Sequence, residues 1–252
     1  MKSFFVFLVV LVAVLVGPVG AAGAQTWGKC PKDTRELVDR ADRIMFAKTT
    51  AGKMTMTVKK PAQTQTMSMT FWSSGRENML VRLTEPSRLK GMSTLKVSDN
   101  VWYYMPRTDR IVKVGSSMMG DSWMGSHFTN DDLVKETQLY LHYECQARAD
   151  EKDTVTVTLT PKPSAPVVWG KIVMKIRRAD SIPVSAQYFS DKGALKRTMT
   201  FDRVQVMDGR TIPTRMTLTV AGKNESTEVV YDKVRFDVVI PARLFTLSGL
   251  KM

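Results

Sequence analysis

The hydrophobic pattern of this chain changes period twice, and those changes divide it into elements. Residues 4–16 form an unbroken apolar run. Leu37, Val38, Ala41, Ile44 and Met45 then recur at intervals of three and four, placing them on one face of a helix over 33–48. Asp33-Thr34-Arg35-Glu36 supplies a capping box at its start, and Arg35, Asp39, Arg40, Asp42 and Arg43 fall on the opposite face. After Gly52 the period becomes two. Met54, Met56 and Val58 alternate with polar residues, as do Met67, Met69 and Phe71, with Pro61-Ala62-Gln63 as the hairpin connection.

Strands are predicted next over 78–84, 91–98, 101–105 and 110–114, joined by short turns that favour antiparallel neighbours. Residues 115–128 break the alternation. Gly and Ser there separate Met118, Met119, Trp123, Met124 and Phe128, and Thr129-Asn130-Asp131-Asp132-Leu133 reads as the cap and first turn of a short helix. Sheet resumes over 137–146, with Leu139, Leu141, Tyr143 and Cys145 on one face, and over 154–160. The polar, proline-rich segment 161–166 is a candidate boundary, but strands of the same style follow over 171–178, 184–190, 194–207, 212–221 and 225–236. Asp191-Lys192-Gly193, Asp208-Gly209-Arg210 and 221–224 are the turns between them. The tail 241–247 reads as an apolar turn that docks on the body. The expected fold is mainly β with few helices (α+β), a curled antiparallel sheet of about eleven strands with one or two helices. A flat sheet of that width is disfavoured.

The first apolar run has its own meaning. About 13 residues is short of the roughly 20 needed to span a bilayer. Lys2 precedes the run, Gly17-Pro18 breaks it and Ala22-Gly23-Ala24 offers small residues for cleavage. Residues 1–24 are therefore expected to be a cleaved signal peptide, with residues 25–252 as the exported mature chain. The two cysteines, Cys30 and Cys145, form a candidate disulfide in an oxidising compartment.

The formal charge of +13 points to anionic surfaces, or simply to solubility. The basic residues are scattered through alternating strands, so nucleic acid is not an expected partner, whereas transient contact with a membrane surface is. Catalytic sets are scarce. The two histidines, His127 and His142, have no metal-ligand spacing around them, and a Ser126–His127–Asp132 set lacks a nucleophile elbow. No metal, cofactor or enzymatic role is expected.

The 17 methionines carry more information. Methionine is flexible and polarisable, and suits surfaces that re-pack around varied apolar ligands. Any one of them is more simply an ordinary core residue; as a set on adjacent strands they suggest a cavity. Met54, Met56, Met67, Met69 and Phe71 are the candidate lining, and Trp102, Tyr104, Trp123, Met124 and Phe128 the candidate rim or lid. An acyl chain of about 16 carbons costs on the order of 12 kcal/mol to expose to water, at about 0.8 kcal/mol per methylene. A groove of this kind can cover such a chain.

The run Trp102-Tyr103-Tyr104-Met105-Pro106, with Arg110, the segment Gly120-Asp121-Ser122-Trp123-Met124-Gly125-Ser126-His127-Phe128-Thr129-Asn130-Asp131-Asp132-Leu133 and the ending Ile240-Pro241-Ala242-Arg243-Leu244-Phe245-Thr246-Leu247 resemble the broad branch of the LolA-like outer membrane lipoprotein-sorting family. The resemblance implies one carrier domain over 25–252 with a periplasmic location, built as an unclosed β-barrel with an α-helical lid and a hydrophobic cavity for lipid or lipoprotein acyl chains. It also implies a possible inner-membrane permease of the resistance–nodulation–division type as partner. Arg82 and Arg110 both stand on strands suited to the arginine that locks the lid in such carriers. The alternative is a non-transporting, lipid-sensing regulator or adaptor of a membrane partner on the same fold.

Overall fold

The computed structural model describes residues 32–135 and 139–252. The expected signal peptide, and Cys30 with it, lie outside the described residues. Thirteen strands form one antiparallel sheet, two more than the periodicity suggested. Six strands precede the central loop as a meander, the first five being β1 (Thr49–Lys60), β2 (Gln63–Ser74), β3 (Asn78–Glu85), β4 (Ser93–Val97) and β5 (Asn100–Met105). The short β6 (Arg110–Lys113) completes that half. The second half comprises β7 (Tyr143–Asp150), β8 (Thr154–Pro161), β9 (Lys171–Arg177), β10 (Pro183–Phe189), β11 (Leu195–Met207), β12 (Arg210–Val220) and β13 (Ser226–Phe236).

The two halves meet where β13 returns to pair with β1, and the order runs β6-β5-β4-β3-β2-β1-β13-β12-β11-β10-β9-β8-β7. That order has a consequence for everything between β6 and β7. The two strands are consecutive in sequence but stand at opposite edges of the sheet, so the sheet stays unclosed and the chain joining them must cross its open side. Strands β8 and β9 pair directly, so the segment that follows Pro161, the last residue of β8, is a loop within the sheet.

Three helices are found among the described residues: α1 (Lys32–Asp42), α2 (Asn130–Lys135) and α3 (Leu139–His142). The first is shorter than its apolar period implied. It ends at Asp42 and relaxes into a turn held by Arg43 N–H on Asp39 O at 3.0 Å. The strand expected over 137–146 is corrected at its start. Residues 139–142 are helical, and the strand begins at Tyr143 and runs on to Asp150. Alternation of Leu139, Leu141 and Tyr143 imitates a strand here, but Leu139 is buried in the main core and Leu141 is exposed. Cys145 on β7 is disulfide-bonded.

One large apolar core occupies the concave face. Leu37, Val38 and Ala41 of α1 pack there against strand residues from both halves, including Met56, Met67, Met69, Ile172 and Leu218. Gly52 is where β1 must be bare. A Cβ there would stand 2.4 Å from Lys233 O and 2.7 Å from the Phe71 ring, which lies over it. The convex face carries a second, smaller cluster. Leu250 and, partly buried, Leu244 and Phe245 of the tail pack on Leu80, Leu95, Trp72, Trp102 and Tyr104. The tail docks as expected, but on the outside of the sheet.

Candidate functional site

The connection between β6 and α2 folds back on itself before it covers the concave face. Trp123 N–H donates to Phe128 O at 2.8 Å and Ser126 N–H to Trp123 O at 2.9 Å, closing a tight turn. Met124 and Gly125 take φ of 50° and 74° in that turn, a left-handed pair that Gly accepts freely and Met does not. Thr129 and Asp132 then cap α2 reciprocally. Thr129 N–H donates to Asp132 Oδ2 at 2.7 Å, and Asp132 N–H to Thr129 Oγ1 at 3.2 Å.

Side-chain contacts fasten this cover to the sheet, three of them from Trp123, His127 and Asp132. Trp123 is 4 % exposed and its indole Nε1 donates to Thr94 Oγ1 of β4 at 3.1 Å. His127 lies against the far half, with Nδ1 2.8 Å from Thr227 Oγ1 and Nε2 3.2 Å from Glu225 Oε2. The third contact is the strongest. Arg197 of β11 meets Asp132 through two parallel hydrogen bonds of 2.6 and 2.8 Å, with the side chains only 5 % and 4 % exposed. Its guanidinium also lies over the rings of Trp169 and Tyr188, 4.3 and 4.4 Å from their centroids. The same contacts dispose of a catalytic Ser126–His127–Asp132 set. Ser126 Oγ donates to Trp123 O at 2.7 Å and accepts from Phe128 N–H at 3.1 Å, while the other two residues turn to different partners.

Beneath the cover lies a cavity of about 230 Å³. Both halves of the sheet, the C-terminal end of α1, Trp123 and Phe128 wall it, and Met45, Met54, Met79, Met174, Met199 and Met216 all face it. Cross-strand register explains the clustering. Met174 and Met199 flank Ala186 on β10, and Met216 neighbours Phe201 and Val229. A small residue between two flexible ones leaves room above the sheet.

The expected site residues divide into three groups. Met54, Trp123 and Phe128 line the cavity. Met56, Met67, Met69 and Phe71 belong to the same concave core without lining the cavity, and Met124 packs on it partly buried. Trp102 and Tyr104 are corrected: they lie on the convex face against the tail, and the concave residues of β5 include Val101 and Tyr103, the latter bonding Asn130 Oδ1. A one-residue change of register exchanges the faces. β5 is covered on both sides, by the loop and by the tail, so its sequence has no polar face to mark the outside. Arg82 also faces the tail, donating to Gly249 O at 2.8 Å, and Arg110 is exposed. Arg197 holds the cover in their place. A clue to it lay in the sequence as a cation at an inward position of β11, but its partner is 65 residues away.

At the other end of the cavity α1 is fastened by charge. Arg76, in the β2–β3 turn, holds Asp42 at 3.1 Å and Asp39 at 3.0 Å, with the Tyr140 ring 5.1 Å from its guanidinium carbon. Burial pushes the Asp42 carboxyl up to about 7, against the opposing pull of Arg76. At the opposite end of α1, Arg148 bonds Asp33 at 2.8 Å and Thr34 Oγ1 at 3.0 Å.

A family model whose description reads "Uncharacterized protein" matches residues 75–252. The chain belongs to this family. Among solved structures, a DUF1329 family protein from Desulfovibrio piger is 20 % identical with a TM-score of 0.78, over 87 % of this chain and 98 % of its own. An outer membrane lipoprotein-sorting protein domain from Vibrio parahaemolyticus is 21 % identical with a TM-score of 0.74, over 86 % and 98 %. A LolA superfamily protein from Nitrosomonas europaea is 20 % identical with a TM-score of 0.70, over 85 % and 98 %. The family member described here therefore has the LolA-like fold, as its central and terminal motifs implied. No curated protein matches the sequence.

Proposed function

We propose that this family member is a periplasmic carrier that shields an acyl chain of a lipid or lipoprotein in its covered cavity. One observation carries the reading. The cavity is walled by methionines from both halves of the sheet and covered by a connection that crosses the open side. Its volume of about 230 Å³ is just under the roughly 300–1,000 Å³ of drug-sized pockets. The covered form thus accommodates a segment of a chain, and a longer one requires the cover or α1 to lift. Both are fastened by polar contacts, Arg197–Asp132 and Arg76–Asp42, which a membrane partner can trade for its own. The expected signal peptide supports export, and a permease of the resistance–nodulation–division type remains part of this proposal as donor or acceptor.

The test is direct. Protein purified from its periplasm without detergent should retain lipid by native mass spectrometry, and the delipidated protein should bind a fluorescent acyl-chain probe. Absence of both would overturn the carrier reading.

A further inference from the structure

The cavity wall has a polar end, and one group there is out of keeping with its surroundings. Lys96 of β4 is 1 % exposed and lines the cavity, directly across from Met79 in the sheet register. The neighbouring concave positions are apolar or hydroxylic: Thr94 on the same strand, Met79 and Val81 on β3. A methionine at position 96 would continue the pattern without burying a charge. An ammonium has three donors. Among the described residues, the hydrogen bond of Lys96 Nζ goes to the backbone oxygen of Arg76 at 2.5 Å.

The other charged groups on the cavity wall are committed differently. Asp132 is held by Arg197 on both oxygens. The nearest acid on the wall, Asp42, is held by Arg76 and by Leu139 N–H at 3.3 Å. Burial favours the neutral form of Asp42, and it lowers Lys96 to about 8 while Glu77 and Asp99 pull the other way. With Asp42 committed to Arg76 and to Leu139 N–H, the ammonium is left buried in a largely apolar wall. Such a group is expensive unless something pairs with it.

We propose that Lys96 pairs with the anionic headgroup of a single-chain lipid, a carboxylate or phosphate, whose acyl tail runs along Met54, Met79 and Met174. The pairing makes the cavity selective among acyl-chain ligands and sets the direction in which a chain enters. This inference rests on the carrier reading, since it assigns the two ends of the same cavity.

The experiment displaces a fluorescent acyl-chain probe from the purified, delipidated protein at pH 7.5 with dodecanoate, dodecyl phosphate and dodecanol. Wild type should prefer the two anions over the alcohol by roughly tenfold or more, as a buried charge-assisted hydrogen bond provides. Lys96→Met should lose that preference while binding dodecanol within about threefold of wild type. Lys96→Arg should keep part of it, and Lys59→Met, at an exposed lysine on β1, should change nothing. Equal displacement by anion and alcohol from wild type overturns the proposal and needs no variant to fold. Equal loss of both ligands in Lys96→Met overturns it too, and makes the lysine a packing and hydrogen-bonding pin. In either case dodecanol binding leaves the carrier reading standing. Failure of every ligand and of the probe to bind wild type overturns both.

Discussion

Substituting Asp132 by Asn tests what holds the cover over the cavity. The change keeps the shape of the side chain but leaves Arg197 charged, buried and without its carboxylate. Removing one partner of a buried pair costs about 3–5 kcal/mol. At about 2–4 °C per kcal/mol for a domain of this size, the melting temperature should fall by roughly 6–20 °C. The bidentate geometry and near-complete burial of both side chains justify the upper part of that range over the value for a surface pair. Urea unfolding followed by tryptophan fluorescence is suitable, because Trp169 stacks on Arg197 and Trp123 belongs to the cover. Arg197→Met should cost a similar amount by stranding Asp132, while Asp132→Asn with Arg197→Met should recover at least about 2 kcal/mol of the summed losses. Additivity of the two changes to within about 0.5 kcal/mol would refute the pair as an energetic unit. A fall in stability should also bring faster proteolysis within 115–129, since the capping bond from Thr129 goes with it.

Asp42 makes stability depend on pH with an unusual sign. Its carboxyl sits near 7 in the folded chain and near 3.8 when exposed, so the folded state holds the extra proton between those values and stability falls as pH rises from about 4 to about 7. The loss is on the order of 4 kcal/mol over the window, and Asp42→Asn should flatten it in pH-dependent urea unfolding; an unchanged slope would contradict the burial argument. Lys96 acts in the opposite sense: its folded value near 8 lies below the exposed 10.5, so stability should climb between about 8 and 10.5, and Lys96→Met should abolish that climb. Trp123→Ala should cost about 3–5 kcal/mol by thermal or urea unfolding, because the ring is core as well as cavity wall; a near-wild-type melting temperature would place it at a rim instead. Deleting 241–252 uncovers Trp72, Trp102 and Tyr104 on the convex face, and should lower stability by 2 kcal/mol or more and produce binding of a hydrophobic dye, whereas a stable, dye-negative truncation would mean the tail merely rests there.

Local periodicity by itself determined most of the secondary structure. The Met54–Val58 and Met67–Phe71 alternation, the Asp191-Lys192-Gly193 and Asp208-Gly209-Arg210 turns and the Thr129 cap all mark contacts between residues close in sequence, and each is found where the pattern put it. The LolA-like fold was legible in the motifs of 102–133 and 240–247. The helix over 139–142 was not, because four residues of alternating polarity satisfy a strand and a helical turn equally well. Only the tertiary structure decided which face of each strand is concave. For β5 the answer reversed, since loop and tail cover its two sides and leave no polar face to read. It also decided the fastening of the cover and the polar end of the cavity. Arg197 and Asp132, or Lys96, Arg76 and Asp42, are ordinary charged residues in the sequence. Asp132 meets Arg197 because β6 and β7 are set at opposite edges and the chain between them has to cross the open side. Lys96, Arg76 and Asp42 come together where α1 meets the first half of the sheet. Each arrangement brings side chains apart in sequence into a common, water-poor space.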